Sequence, residues 1–160
     1  SRPRSSMKRT VNLAHARTAF QREVMNRIKK DGVCPFCEKN FLTYHTKPII
    51  KKGRHWILTE NFQPYEGTKH HLLAVSRKHT TTFANLSAAA HAELLKLFAG
   101  EIKKRGIKGG AMFMRFGDTD YTGGSVEHLH AQLISGAKRG KNTEPMPTSL
   151  GYKAIRSARG

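Results

Sequence analysis

Three shortages mark this sequence, and each excludes a class of protein. Only 2 of the 160 residues are cysteine, so a scaffold held together by disulfides is excluded. No apolar run approaches the roughly 20 residues of a membrane-spanning helix, so we expect no membrane partner. Acidic residues number 11 against 29 lysines and arginines, which gives a formal net charge of +18. This imbalance favours polyanionic partners, namely nucleotides, nucleic acid or an anionic surface.

Length and composition predict one domain with a real hydrophobic core. We expect this domain at residues 11–135, between a basic N-terminal tail at 1–10 and a loosely ordered basic C-terminal tail at 136–160. No signal-peptide pattern is seen, so we expect a cytoplasmic location.

The hydrophobic pattern predicts two main helices and about five strands. Apolar residues recur at helical spacing over residues 12–30 and 87–105, with Ser87 as the expected cap of the second helix and Gly106 as its end. Short apolar runs typical of strands lie at residues 48–50, 56–59, 71–75, 110–116 and 127–134, the first two forming a hairpin. This order of elements predicts an α+β fold with a largely antiparallel sheet.

Residues 128–132, His-Leu-His-Ala-Gln, carry the strongest chemical signal. Because side chains alternate along a strand, we expect His128, His130 and Gln132 on one face. A neutral imidazole can attack phosphorus if its other nitrogen is held by an acceptor and donors contact the phosphate. The preceding Gly124 and Ser125 can supply such donors, because glycine lets backbone N–H groups approach a phosphate closely. The alternative is a half-exposed polar strand whose histidines have no chemical role.

The segment Cys-Pro-Phe-Cys places Cys34 and Cys37 at the spacing of half a tetrahedral zinc site. No second cysteine pair exists, so histidines would complete the site, and spacing alone does not choose among the 9 available. The alternatives are a redox pair of the thioredoxin kind and two unpaired thiols. A redox pair requires cysteines that open a helix within a βαβ unit, which the pattern does not show.

Residues 123–132, Gly-Gly-Ser-Val-Glu-His-Leu-His-Ala-Gln, resemble the signature of the histidine-triad (HIT) superfamily. The order His-x-His-x-Gln is similar to the branch that contains galactose-1-phosphate uridylyltransferase and diadenosine tetraphosphate phosphorylase. Residues 61–79 are similar to the first half of the family pattern, and the resemblance covers about residues 33–135. It implies a HIT-like fold with about five mostly antiparallel strands and two main helices, and a homodimer in which two sheets join.

The resemblance also implies roles for individual residues. His130 would be the nucleophile that becomes nucleotidylated, and Gln132 would hydrogen-bond the phosphoryl group. Ser125 and the backbone of Gly124 would hold phosphate oxygens, and Asn61 would contact the ribose.

Further positions follow from the same resemblance. His71 matches a family histidine near the catalytic strand, where either a supporting hydrogen bond or simple packing is expected. Arg115 stands where the family usually has asparagine in Asn-x-Gly, which favours a more anionic substrate. A structural zinc would be held by four residues, namely Cys34, Cys37, His79 and His128.

Together these features predict a nucleotide-binding enzyme. It would carry out nucleotidyl transfer or hydrolysis at the α-phosphate of a dinucleoside polyphosphate or nucleotide sugar, through a nucleotidyl-His130 intermediate. Two alternatives are a basic nucleic-acid-binding protein on a HIT-like fold and an enzyme that removes nucleotidyl groups from nucleic-acid ends. The aprataxin branch does the latter, but it normally ends its triad with histidine and carries a zinc-finger motif that is absent here.

The nucleic-acid alternative makes its own prediction, because neutralising phosphates makes affinity strongly dependent on salt. If the basic ends bind nucleic acid, deleting residues 1–9 and 140–160 should abolish salt-sensitive oligonucleotide binding and leave small-nucleotide binding intact. Fluorescence anisotropy at ~50 mM salt, where electrostatic association is strong, measures this. A full-length chain that binds no oligonucleotide there would contradict the alternative.

Overall fold

The computed structural model of the chain describes residues 19–157. Four helices and five strands lie in this range: α1 (Ala19–Asp31), α2 (Glu38–Tyr44), β1 (Ile49–Lys52), β2 (Trp56–Glu60), β3 (His70–Ser76), α3 (Ala88–Arg105), β4 (Ala111–Arg115), α4 (Thr119–Thr122) and β5 (His130–Ser135). The predicted start of the first helix and the N-terminal tail lie outside the described residues. No described helix has the length and apolar character needed to cross a membrane.

The five strands form one antiparallel sheet in the order β1-β2-β3-β5-β4. This confirms the predicted α+β fold and the hairpin of β1 and β2. The caps of α3 are also as predicted: the Ser87 hydroxyl accepts the backbone N–H of Ala90, and Gly106 ends the helix at φ 62°. The short helices α2 and α4 were not predicted, since seven and four residues are too few for helical periodicity to show.

The last strand begins later than its pattern predicts. The expected strand covers residues 127–134, whereas β5 starts at His130. The backbone leaves the ladder at Leu129, which accepts the N–H of Ser76 at the end of β3 but donates its own N–H to the carbonyl of Thr80, beyond that strand. His128 therefore lies on an extended segment that leads into β5.

Alternation along the strands divides the sheet into two chemically different faces. One face packs against α3 through a core that comprises Trp56, Leu58, Leu72, Ala74, Leu94, Leu97, Phe98, Leu129, Ala131 and Leu133. Since Leu129, Ala131 and Leu133 point to this core, His130 and Gln132 lie on the opposite face. That face also carries a smaller apolar cluster of Phe41, Ile57, Leu73 and Val75.

The chain after β5 contains no helix or strand over residues 136–157. Its composition predicts a loosely ordered tail, but the structure differs in the central part. There the carbonyl oxygen of Ser149 accepts a hydrogen bond from the Arg115 side chain, and the Thr148 hydroxyl lies 3.4 Å from the Tyr65 hydroxyl.

The sequence predicts a solvent-facing side chain at His45, but the structure buries it beside the smaller cluster, with 9% of its surface exposed. Its ring stacks on Phe41 with a centroid separation of 4.5 Å. Its Nε2 donates to the hydroxyl of Thr59 at 2.7 Å, and that hydroxyl donates to the carbonyl of Pro48. Burial, with a smaller contribution from Lys47, lowers the pKa of His45 to about 4.

This pKa makes stability depend on pH. The unfolded chain, with an ordinary histidine pKa of ~6.5, takes up the proton before the folded chain does, so stability falls as the pH drops from 6.5 toward 4. Between pH 7 and pH 5 the wild-type chain should lose about 2 kcal/mol more unfolding free energy than a His45→Gln variant. Urea denaturation at the two pH values measures this difference, and equal losses in both proteins would contradict it.

Candidate functional site

The face opposite α3 holds an open cavity of about 1880 Å³. Six of the residues singled out from the sequence line it, namely Asn61, Arg115, Gly124, Ser125, His130 and Gln132. The structure therefore brings together residues that are up to 71 positions apart in the sequence. Apolar side chains of the helical segment before β1, including Ile28, Phe36 and Phe41, line the cavity as well.

His130 begins β5 and lies between Val75 of β3 and Arg115 of β4 as their cross-strand partner. Its Nδ1 lies 2.8 Å from the carbonyl oxygen of His128. Because a carbonyl can only accept, Nδ1 carries the proton and Nε2 keeps its lone pair. Burial is the main cause that lowers the pKa of His130 to about 4, so the ring is neutral at physiological pH.

Phe36, which sequence reasoning did not single out, packs its ring edge-on against His130, with centroids 5.0 Å apart and planes at 89°. This ring comes from the middle of the Cys-Pro-Phe-Cys segment. The two cysteines on either side of Phe36 thus belong to a loop whose apolar member is in direct contact with the histidine.

Gln132 follows on the same face and is held by His71. The backbone N–H of Tyr65 donates to Nδ1 of His71 at 3.1 Å, so the proton of this imidazole is on Nε2. That Nε2–H donates to Oε1 of Gln132 at 2.5 Å. Of the two expectations for His71, the supporting hydrogen bond is the one observed, and it directs the donor end of the Gln132 amide away from His71.

Asn61 follows β2 and lies at the cavity edge next to His71. Its backbone N–H donates to the carbonyl of His71, and its Oδ1 accepts the N–H of Gln63 at 2.9 Å. Its Nδ2 lies 3.3 Å from Nε2 of His71. The side chain is therefore fixed in position before any ligand arrives.

The loop between β4 and β5 supplies Gly124 and Ser125. It contains the short helix α4 and turns at Gly123, whose φ of 72° suits glycine. Gly124 is buried, and its N–H donates to the hydroxyl of Thr122 at 3.1 Å. A Cβ at Gly124 would lie 3.3 Å from Cδ of Arg115, so this glycine lets the loop pack closely against the arginine.

The Arg115 side chain contacts the segment after β5. Its Nε donates to the carbonyl of Ser149 at 2.9 Å, and its Nη2 donates to the same carbonyl and to the hydroxyl of Thr148. The guanidinium also lies over the ring of Phe113, 5.0 Å from its centroid. A cation is thus placed directly beside His130.

A second group of side chains lies beside the cavity, where Cys34, Cys37, His79 and His128 bring four ligand atoms within 4.8 Å of one another. Sγ of Cys34 is 3.4 Å from Nδ1 of His128, and Sγ of Cys37 is 3.2 Å from Nδ1 of His79. The two Nδ1 atoms are 3.1 Å apart. Tetrahedral coordination at usual zinc bond lengths requires separations of about 3.6 Å for sulfur–nitrogen and about 3.3 Å for nitrogen–nitrogen pairs, so the residues present fit a metal ion.

A hydrogen bond orients the His128 ring in this cluster. Its Nε2–H donates to the carbonyl of Ser76 at 2.6 Å, which leaves the Nδ1 lone pair directed at the thiols. Burial lowers the pKa of His128 to about 4 and raises that of Cys34 to about 11. A neutral imidazole is the form of histidine that binds a metal ion, and a bound cation would favour the thiolate form of Cys34 that burial alone disfavours.

The redox alternative for the cysteines finds no support in the fold. Cys37 precedes α2, but the neighbouring elements are α1 and β1, which do not form a βαβ unit. Both cysteines face histidine nitrogens.

The family model described as "Domain of unknown function (DUF4931) N-terminal domain" matches residues 17–138. No match is found among curated proteins. Among solved structures, a "Hit Like Protein" aligns with a TM-score of 0.50 and 21% identity over 62% of this chain and 96% of that one.

Two further structures show the same architecture. A hypothetical histidine triad nucleotide-binding protein from Sulfolobus tokodaii aligns with a TM-score of 0.51 and 16% identity over 75% of this chain and 81% of that chain. A histidine triad nucleotide-binding protein from Candida albicans aligns with a TM-score of 0.50 and 14% identity over 68% of this chain and 83% of that chain. The chain has the histidine-triad fold, and it belongs to the family of the DUF4931 N-terminal domain.

Proposed function

We propose that this chain is a nucleotide-binding enzyme that moves a nucleotidyl group through a covalent bond to His130. The observation that carries the proposal is the hydrogen bond from Nδ1–H of His130 to the carbonyl of His128. This bond keeps the proton on Nδ1, so the lone pair of Nε2 is available as the proposed nucleophile. The ring itself lines the cavity. The structural relatives named as histidine triad nucleotide-binding proteins agree with a nucleotide as ligand.

In the first half-reaction, the Nε2 lone pair of His130 forms a bond to the α-phosphorus. The bond from phosphorus to the distal oxygen breaks, and its electron pair leaves with the distal group. In the second half-reaction, an acceptor oxygen attacks the same phosphorus and the phosphorus–nitrogen bond breaks, which restores the neutral imidazole. Gln132, Ser125 and Arg115 line the cavity. In the proposed reaction the Gln132 amide and the Ser125 hydroxyl would donate to phosphoryl oxygens, and Arg115 would offer positive charge to the distal group.

The substrate class is a dinucleoside polyphosphate or a nucleotide sugar, and transfer to phosphate or a sugar phosphate is the favoured second step. The sequence order His-x-His-x-Gln, similar to that of the phosphorylase and uridylyltransferase branch, supports this choice. Hydrolysis is the competing outcome of the same intermediate.

The nucleophile can be tested directly. Incubation with the right substrate should give a nucleotidyl adduct that is stable to base and labile to acid, as a phosphorus–nitrogen bond is. His130→Asn should abolish the adduct and lower turnover by at least about a thousandfold while nucleotide binding persists, since the nucleophile is lost and the cavity is kept. Mass spectrometry of the intact protein and of its peptides measures adduct mass and position.

A matched control is His55→Asn, which changes a histidine of the loop between β1 and β2 that does not line the cavity and should leave adduct and rate unchanged. Gln132→His should shift the product ratio from transfer toward hydrolysis. Full turnover by His130→Asn, or an adduct on another residue, would refute the mechanism.

We further propose that the four-residue cluster beside the cavity holds one zinc ion with a structural role. Two thiols and two imidazoles are a donor set that zinc favours, and all four positions of a tetrahedron would be filled by protein. Such an ion would supply no open coordination site for chemistry. Its effect would be to fix His128 and the loop that carries Phe36.

The purified chain should contain about one zinc ion per protein, and Cys34→Ser should lower both metal content and melting temperature, because a structural zinc contributes folding free energy. Elemental analysis and thermal denaturation measure the two quantities, with His55→Asn as a control that keeps both. A fully folded native chain without metal would contradict the proposal.

The chain is also proposed to form a dimer through β4. Of the two edge strands, β1 ends in Lys51 and Lys52 and contains an irregular register, features that block strand pairing. The other edge, β4, carries exposed Met112 and lacks lysine. Light scattering at micromolar concentration should give twice the mass of the 18.0 kDa chain. The mass of a single chain would contradict this pairing.

A further inference from the structure

The segment at residues 142–152, which we call the strap, crosses the cavity on the side of Arg115. We propose that the strap determines which distal group the site accepts, admitting a compact anionic group and excluding a second nucleoside. This inference rests on the function proposed above and deepens it, because it narrows the two proposed substrate classes to nucleotide sugars. It concerns residues beyond the family match, which ends at residue 138.

The strap is fastened at one end to the loop between β4 and β5. The carbonyl of Ser149 accepts two hydrogen bonds from Arg115, and the hydroxyl of Thr148 accepts a third. A Cβ at Gly123 would lie 3.0 Å from Cβ of Ser149, and a Cβ at Gly151 would lie 3.1 Å from the carbonyl of Tyr121. The glycines at these positions therefore allow the strap to lie close against the loop.

The strap is fastened at its other end near the end of β5. A Cβ at Gly136 would lie 2.8 Å from Cε of Met146, so this side chain packs directly on the backbone. The hydroxyl of Thr143 both donates to the carbonyl of Gly140 and accepts its N–H, which closes a turn at the start of the strap. The hydroxyl of Thr148, which accepts from Arg115, also lies 3.4 Å from the hydroxyl of Tyr65. The strap thus spans the cavity from one wall to the other.

The order of strands tells which part of a substrate the strap meets. Asn61, proposed to contact the ribose, follows β2, and His130 lies on β5, with β3 between these strands. A group on the other side of the phosphorus from the nucleoside lies toward β4, where Arg115 pairs with His130. That is where Thr148 and Ser149 are fastened, so the distal group and the strap share this end of the cavity.

The hydrogen bonds of Arg115 explain which distal groups are accepted. A phosphate oxygen is a stronger acceptor of guanidinium hydrogen bonds than a neutral carbonyl, so a phosphate or sugar phosphate can replace Ser149 as the partner of Arg115. A second nucleoside attached through further phosphates would have to occupy the space beside Arg115 that Thr148 and Ser149 fill. Excluding a competitor by a built-in clash is a common source of specificity.

The test measures binding in the His130→Asn protein, so that nothing is turned over. The first ligand is whichever of AMP, UMP, GMP and CMP binds most tightly, and the second is the dinucleoside tetraphosphate of the same base. A full-length variant with Pro145, Met146, Pro147 and Thr148 each replaced by glycine removes the strap side chains and keeps its length. By calorimetry, this variant should bind the tetraphosphate about tenfold or more tightly than the parent does, while affinity for the monophosphate stays within about twofold.

The matched control replaces Ala154 and Ile155 with glycine, since both are exposed, uncharged and beyond the strap. It should bind both ligands like the parent. An unchanged ratio of the two affinities in the glycine variant, with the monophosphate still bound, overturns the role of the strap and leaves the proposed function standing. Failure of every monophosphate to bind the parent overturns the proposed function and this inference with it.

Discussion

His128 makes hydrogen bonds through both its backbone carbonyl and its imidazole, and the geometry of the site depends on those bonds. Its carbonyl oxygen accepts Nδ1–H of His130 and so leaves the lone pair of that ring on Nε2. Its imidazole donates to the carbonyl of Ser76 and turns the other nitrogen toward the thiols of the cysteine segment. The backbone of this one residue therefore holds the ring of His130, while its side chain belongs to the Cys/His cluster. Phe36 provides a second connection, because it lies between the two cysteines and contacts the ring of His130.

Local patterns in the sequence were enough to predict much of the framework. Period-two alternation separates Leu129, Ala131 and Leu133 from His130 and Gln132, because only one face of this sheet packs on α3. Alternation could not locate the start of β5, since an extended segment and a strand orient side chains alike. The hydrogen bond from Leu129 to Thr80, at which the chain leaves the ladder, joins it to a distant part of the sequence.

The candidate metal ligands and the strap show where local patterns stop being informative. Spacing marks Cys34 and Cys37 as candidate ligands, but the choice of His79 and His128 depended on the family resemblance, because these residues meet the cysteines only in the folded topology. The strap has the proline, serine and threonine content of a mobile tail. Its attachment uses a backbone carbonyl, that of Ser149, and a carbonyl is present at every position whatever the side chain. No composition rule could therefore have predicted that contact.

The hydrogen bond between His71 and Gln132 bears on the choice between transfer and hydrolysis in the proposed reaction. Because His71 donates to Oε1, the amide of Gln132 can offer a phosphoryl group only N–H bonds. A third histidine in this place could exchange a proton with an incoming water, whereas an amide cannot do so near neutral pH. Water would then attack undeprotonated and slowly, but phosphate or a sugar phosphate arrives already as an oxyanion. Arg115 beside His130 and a chain with net charge +18 both attract such an acceptor. The amide thus favours transfer by withholding a proton acceptor from water, while the surrounding positive charge draws in acceptors that need none.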